Sequence, residues 1–238
     1  MKINKIYKWT GIFGLGMVLF SWSQFPLYTV DTGHASLYDG AASAKQLFSI
    51  RNIAFTRILL DLCLYVCAMI SGAGFRQLIK HTNADYEWIG TLLFGTLIVW
   101  LAVTLVADGL QGGAVLDTLG GNPDPSVVRG LTAATLLIYN GSTAFVVTAF
   151  FLAVAGYATF ATGVLPKWTG WLAYISTALC IACVPAMYFG PVDYYGFYNA
   201  GGWGVAIIAN FPPLIWVFVA SIVLIKKSKT VVTTISKK

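Results

Sequence analysis

An all-α bundle of six transmembrane helices is the fold class that this 238-residue sequence predicts, on three observations. Apolar residues make up 58% of the chain and charged residues 10%, against roughly 45–50% and about 25% in ordinary soluble domains. Apolar runs recur at the length of about 20 helical residues that crosses ~30 Å of hydrocarbon. Those runs are continuous, whereas a membrane barrel alternates polar and apolar residues over roughly ten-residue strands. Mean hydropathy is +0.75. With 15 Lys+Arg and 9 Asp+Glu, the chain lacks the charge to clothe a soluble surface of its size. A soluble enzyme, a DNA-binding domain and a disordered chain are thereby excluded.

The expected spans are residues 9–30, 53–75, 88–110, 128–160, 168–189 and 203–225, in a single domain over 1–238 with a basic, mobile tail at 226–238. The first begins after Lys2, Lys5 and Lys8 and resembles a signal peptide, but its apolar run is long enough to span and no small-x-small cleavage site follows. An uncleaved first helix is expected. Ser43-Ala-Lys-Gln46 has the form of a capping box, which predicts that the second helix starts near Ala44. Residues 112–125, bounded by Gly112-Gly113 and Pro125, are expected to form a loop after the third span. Asp124-Pro125 supplies an N-cap and an N1 proline for the fourth helix, whose excess length predicts tilt or projection. Gly163 and Pro166 separate the fourth helix from the fifth. Trp9, Trp88, Trp168 and Trp203 stand at span ends, where indole rings favour the headgroup level.

Lys and Arg set the expected orientation. With the N-terminus inside, the first group of lysines, Arg76, Lys80, Lys167 and the Lys226–Lys238 cluster all fall inside, and only Lys45, Arg51 and Arg129 fall outside. Asp31, Asp39, Asp117, Asp124 and Asp193 fall outside. Both termini are therefore expected in the cytoplasm. The pI of about 9.1 is a sign of topology and not of nucleic-acid binding.

The segment at 156–171, Gly-Tyr-Ala-Thr-Phe-Ala-Thr-Gly-Val-Leu-Pro-Lys-Trp-Thr-Gly-Trp, resembles the inner-loop pattern of a domain-of-unknown-function family of small bacterial six-helix membrane proteins. That family shows Gly-Tyr, a short gap, then Leu-Pro-Arg/Lys-Trp-x-Gly entering the next helix. The resemblance covers most of the chain in layout and these residues in motif. It implies a bacterial inner-membrane protein and carries no activity.

Ionisable groups inside hydrocarbon cost at least about 2.5–3.5 kcal/mol, so each needs a partner, water or a function. Arg57 and Asp61 in the second span are one helical turn apart and are expected to pair, with Tyr65 continuing their stripe. Ser21, Ser23, Gln24, Asp108, Gln111, Tyr139, Asn140 and Asn210 lie toward the same leaflet, and Pro26 and Pro212-Pro213 interrupt the backbone there. One reading is an outward-facing ligand pocket built from Arg57, Asp61, Tyr65, Asp108, Asn140 and Asn210. Arg57 would hold an anionic or carbonyl group and Asp61 would orient it or accept a proton. The other is a structural ion pair with helix-bridging amides.

Further features each carry two readings. Cys63/Cys67 and Cys180/Cys183 suit a thiol-redox pair or small apolar packing. Cys63 lies about 200° around the helix from Asp61 and so off the polar stripe. His34 with Asp31 and Asp39 suits a metal site or a solvated loop, and His81 has no ligand partners. The aromatic-rich residues 188–203 suit a lid or an interfacial belt. Gly109, Gly112 and Gly113, and Gly201, Gly202 and Gly204, match no phosphate loop, while Gly11, Gly14 and Gly16 suit close helix packing. An inverted repeat of three helices is conceivable, with a Cys pair on each middle helix.

The function expected is binding or transport of a small amphipathic or anionic ligand. The alternatives are a non-catalytic helical partner of another membrane protein and a membrane thiol-redox enzyme. Expected partners are the lipid bilayer, a small-molecule ligand, and a second membrane protein or a second copy of the chain. No cofactor, metal or nucleic acid is expected, and no nucleophile–base–orienter set argues for catalysis.

Overall fold

A computed structural model describes residues 3–30, 39–139, 141–189 and 196–235, which are helical almost throughout, with no strand among them. The helices are α1 (Ile3–Trp22), α2 (Phe25–Val30), α3 (Gly40–Ser49), α4 (Arg51–Thr82), α5 (Glu87–Leu119), α6 (Pro125–Tyr139), α7 (Ser142–Thr162), α8 (Lys167–Cys183) and α9 (Trp203–Ile235). Among the described residues, five stretches are long and apolar enough to cross a membrane: Arg51–Thr82, Ala84–Leu119, Pro125–Thr162, Lys167–Tyr188 and Trp203–Thr230. The stretch expected as the first span falls outside that set. Lys5 and Lys8 dilute α1, and the chain leaves the helix at Ser23-Gln24, ahead of Pro26. Leu19, Leu59, Leu105, Val106, Trp171, Ile175 and Ile181 are exposed, a display that water penalises and lipid accepts. The chain is a multi-pass, all-α membrane protein by these measures.

Packing pairs close a ring: α1 lies on α4 and α9, α4 on α5, α5 on α6 and α7, α7 on α8, and α8 on α9. Glycine sets the tightest of these contacts. A Cβ on Gly11 would stand 2.6 Å from the Ser221 carbonyl, and one on Gly14 would overlap the Ser221 hydroxyl. The close approach of α1 to α9 is thus written in the glycines expected to serve packing.

One end of the ring is basic. Lys5, Lys8, Arg76, Lys80, Lys167, Lys226 and Lys227 gather where α4 turns into α5 and α7 into α8. Glu87 in the first turn of α5 bridges Lys80 at 2.9 Å and Arg76 at 3.7 Å. Gly163 ends α7 in the left-handed conformation at φ 68°, which glycine adopts without a Cβ penalty, and Pro166 opens α8 as the sequence leads one to expect. Lys227 Nζ donates to the Val164 carbonyl at 2.9 Å and so ties α9 to that turn. The largest core cluster lies toward this end: Leu78 and Ile79 of α4, Ile89 and Leu93 of α5, Leu152 of α7, and Trp216 and Leu224 of α9.

Several expected boundaries move. The helix before the second span starts at Gly40, because Asp39 caps it by accepting from the Ala42 N–H at 2.9 Å. It is a separate short helix, parted from α4 at Ile50, and it rests on α5 and α6. Residues 112–119 are helical, so the expected loop shrinks to 120–124; two interior glycines cost about 1 kcal/mol each and do not end a long apolar helix. The long fourth stretch is broken, α6 ending at Tyr139 and α7 starting after the extended Gly141. Asp124 caps α6, its Oδ1 accepting from the Ser126 N–H at 2.8 Å. Helix α9 runs through Pro212-Pro213 and on to Ile235, so the basic tail begins as helix.

Candidate functional site

Arg57, Asp61 and Tyr65 stand one turn apart on α4, and a helix repeat of 3.6 residues keeps them on one face. All three line a cavity of about 540 Å³ at the centre of the ring, with walls from α1, α3, α4, α5, α6, α7 and α9.

Asp61 is held from α1. The break at Ser23-Gln24 turns Gln24 inward, where it is buried, and its Nε2 donates to Asp61 Oδ1 at 2.6 Å. The turn is closed by Gln24 N–H to the Ser21 carbonyl at 3.2 Å and Leu27 N–H to the Gln24 carbonyl at 2.9 Å. The expected Arg57–Asp61 ion pair does not form; among the described residues the ion pairs are those of Glu87. The cause is direction. Side chains on a helix lean toward its N-terminus, so Arg57 reaches away from a carboxylate placed one turn C-terminal to it. Arg57 still interacts electrostatically with Asp61 and Asp108.

Asp108 is fully enclosed, at 3% exposure, and three helices meet on it. Tyr65 Oη of α4 donates to its Oδ2 at 2.6 Å, and Tyr139 Oη at the end of α6 donates to its Oδ1. The two phenol oxygens are 3.4 Å apart, and Tyr139 Oη is also 3.3 Å from the Thr104 carbonyl. Trp100 meets the Tyr65 ring edge-on, with centroids 6.4 Å apart. Both carboxylate oxygens of Asp108 are thus served by O–H donors, which is how a buried carboxylate is tolerated.

Asn210 lines the same cavity from α9. Its Nδ2 donates to the Ala206 carbonyl one turn back, at 2.8 Å. Pro213, lacking an N–H, leaves the Ala209 carbonyl without its helical donor, and the Cys180 thiol donates to it at 3.3 Å. The four cysteines are free thiols, with Cys63 exposed and Cys67, Cys180 and Cys183 buried.

Of the expected site residues, the structure brings Arg57, Asp61, Tyr65 and Asn210 to one cavity and sets Asp108 immediately behind it, bonded to two lining tyrosines. Asn140 lies outside the described residues, as do His34 and Asp31 of the suggested loop metal site and Asp193, Tyr194 and Tyr195 of the suggested lid. From that aromatic segment, Phe197 stacks edge-on against Trp203, which lines the cavity. No group of His, Cys, Asp and Glu among the described residues is arranged to hold a metal ion. The selected set omits Gln24 and Tyr139. Each sits directly beside a helix break, and that adjacency is the sequence signal for both: Gln24 before Pro26, Tyr139 before Gly141.

No protein family, curated protein or solved structure matches this chain.

Proposed function

We propose that this is a six-span protein of the bacterial cytoplasmic membrane, with both termini in the cytoplasm, that binds or transports a small amphipathic or anionic ligand through an outward-facing polar pocket. In this arrangement α1 is the first span despite its lysines, and the basic end of the ring faces the cytoplasm. The excess of Lys and Arg at that end supports the orientation.

One observation carries the ligand reading. Gln24, Arg57, Asp61, Tyr65, Tyr139 and Asn210 come from three different helices and the turn between α1 and α2 onto a single cavity, and two of those helices end or carry prolines beside it. Broken helices at membrane depth are stable where their freed backbone groups face protein or a cavity, and such sites hold ligands in many transporters. A purely structural network needs neither the space nor the breaks. Arg57 supplies the attraction for a carboxylate, phosphate or carbonyl oxygen, and Gln24 and Asn210 provide neutral amides beside it.

The test is thiol accessibility from a defined side. Ala206, which lines the cavity one turn from Asn210, is replaced by Cys in a chain whose four native cysteines are Ser. A membrane-impermeant methanethiosulfonate added to intact cells is expected to modify Ala206→Cys. Modification only after the cells are opened would sink the outward orientation, and no modification under either condition would sink the pocket.

A further inference from the structure

We infer that Asp61 and Asp108 hold a single exchangeable proton between them, and that the central cavity, on which Asp61 opens, is the path by which that proton comes and goes. The pair is a proton-binding site, and it gives a proton-driven transport step the group it needs. The path rests on the pocket reading above; the proton itself rests on the two carboxyl groups alone.

The donors and acceptors around the pair carry it. Asp61 of α4 and Asp108 of α5 are hydrogen-bond partners. Two ionised carboxylates are acceptors only, so a hydrogen bond between them needs one proton. The neighbours decide which carboxyl carries it. Asp108 receives Tyr65 Oη at 2.6 Å on Oδ2 and Tyr139 Oη on Oδ1, so O–H groups from two helices stabilise it as the anion. Asp61 receives one neutral amide, Gln24 Nε2, at 2.6 Å on Oδ1. Its other oxygen, Oδ2, carries the proton and donates it toward Asp108.

The charges around the pair agree. Among the described residues, the titratable side chains that act on it are Arg57 and Tyr65 from α4 and Tyr139 from α6. Gln46 of α3, Thr148 of α7 and Asn210 of α9 face the same cavity, and none of them titrates. Loss of the proton would set two like charges in contact at membrane depth, and neighbouring carboxylates keep one proton rather than carry both charges.

Access is one-sided. Asp61 lines the cavity and is half-buried, whereas Asp108 is enclosed behind it. Exchange therefore passes through Asp61. On release its O–H bond breaks, the electron pair stays on the carboxylate, and the proton passes to solvent in the cavity. The hydrogen bond that ties α4 to α5 is then replaced by repulsion, while Gln24 gains an ionised acceptor. Proton occupancy thereby alters the contact between two spans and the hold on the turn between α1 and α2.

Infrared spectroscopy of the full chain in maltoside micelles, which have no ester carbonyl, reads the proton directly. At about pH 7 an ordinary aspartate is ionised, so the carbonyl stretch of a protonated carboxylic acid is expected from this pair and not from surface acids. Asp61→Asn is expected to abolish the band. The amide of that variant accepts from Gln24 and donates to Asp108 as the acid did, so its melting temperature is expected within about 2 °C of wild type. Asp108→Asn sets N–H donors against the phenol O–H donors and is expected to lower the melting temperature by about 5 °C or more. In D2O the wild-type band is expected to move to lower frequency, as an exchangeable proton requires. A wild type without the band, or a band that survives Asp61→Asn, would overturn the proton site. Equal destabilisation by the two substitutions would overturn its placement on Asp61, and a band unmoved by D2O would overturn the exchange. Labelling of Ala206→Cys reads the pocket separately. A chain that is labelled but lacks the band loses the proton site and keeps the pocket; a chain with an exchanging band that is not labelled keeps the site and loses the cavity as its path.

Discussion

Around Gln24, Ile50 and Gly141 the chain leaves the helix, while at the opposite end α4, α5, α7 and α8 run uninterrupted into short turns. The broken end carries the buried carboxylates, the phenols and the amides; the continuous end carries Leu78, Ile79, Leu152 and Leu165, with charge confined to its surface. The two ends satisfy their backbone by different means. Regular helix serves the basic end. At the other, side chains complete what the breaks release, as Cys180 does for the Ala209 carbonyl. The contrast teaches that polar side chains in this bundle are placed by irregular backbone, so a search for the site is best directed at the breaks.

The contrast is most exposed to failure in the apolar core. Leu78 is wholly enclosed at the basic end. Leu78→Ala is expected to cost about 2–5 kcal/mol, because a rigidly packed site collapses only in part around the missing methyls. Leu64→Ala, on a side chain that already borders the cavity, is expected to cost less. Reversible unfolding in mixed micelles reads both; a larger loss at Leu64 would show that the cavity end is the better packed of the two.

Next in size is the Asp108 cluster. Asp108→Leu strands the Tyr65 hydroxyl, at about 1–3 kcal/mol for a buried group that loses its acceptor, and leaves Tyr139 with the Thr104 carbonyl at 3.3 Å. The triple replacement Asp108→Leu, Tyr65→Phe, Tyr139→Phe removes donors and acceptor together and is expected to regain most of that loss in the same unfolding measurement. If the triple variant is no more stable than the single, the phenols are not what Asp108 serves. Gln24→Leu is expected to cost less, about 0.5–1.5 kcal/mol, the net contribution of one hydrogen bond to Asp61.

Much of this was legible in the sequence and some was not, for reasons that follow the same division. Long apolar runs and the Arg57–Asp61–Tyr65 stripe are local patterns, set by helix periodicity, and they survive in the fold. Asp108 was legible as one of the polar residues that fall toward one leaflet. Its partners were not, since Tyr139 reaches it only because the fourth stretch breaks after that residue. The Arg57–Asp61 pair failed because spacing states which face a residue occupies and says nothing about which way its side chain leans. Gly112-Gly113 suggested a loop from composition alone, yet α5 absorbs both, with a Cβ on Gly112 meeting Ile58 at an ordinary 3.5 Å.

The smallest expected effect probes the charge at the continuous end. Glu87 bridges Lys80 and Arg76 across the turn from α4 to α5, and all three side chains are more than a third exposed. Solvent screens such pairs, and the entropy of fixing long side chains offsets much of the attraction, so Glu87→Gln is expected to cost less than about 1 kcal/mol. Part of even that loss belongs to the helix, because Glu87 lies in the first turn of α5, where a carboxylate favours the exposed N–H groups. The two contributions separate with salt. Raising ionic strength to about 1 M shortens the screening length to roughly 3 Å and is expected to abolish most of the difference between wild type and variant. A loss well above 2 kcal/mol that persisted in high salt would mean that the basic end, too, depends on a desolvated polar contact, and the distinction between the two ends would then rest on backbone continuity alone.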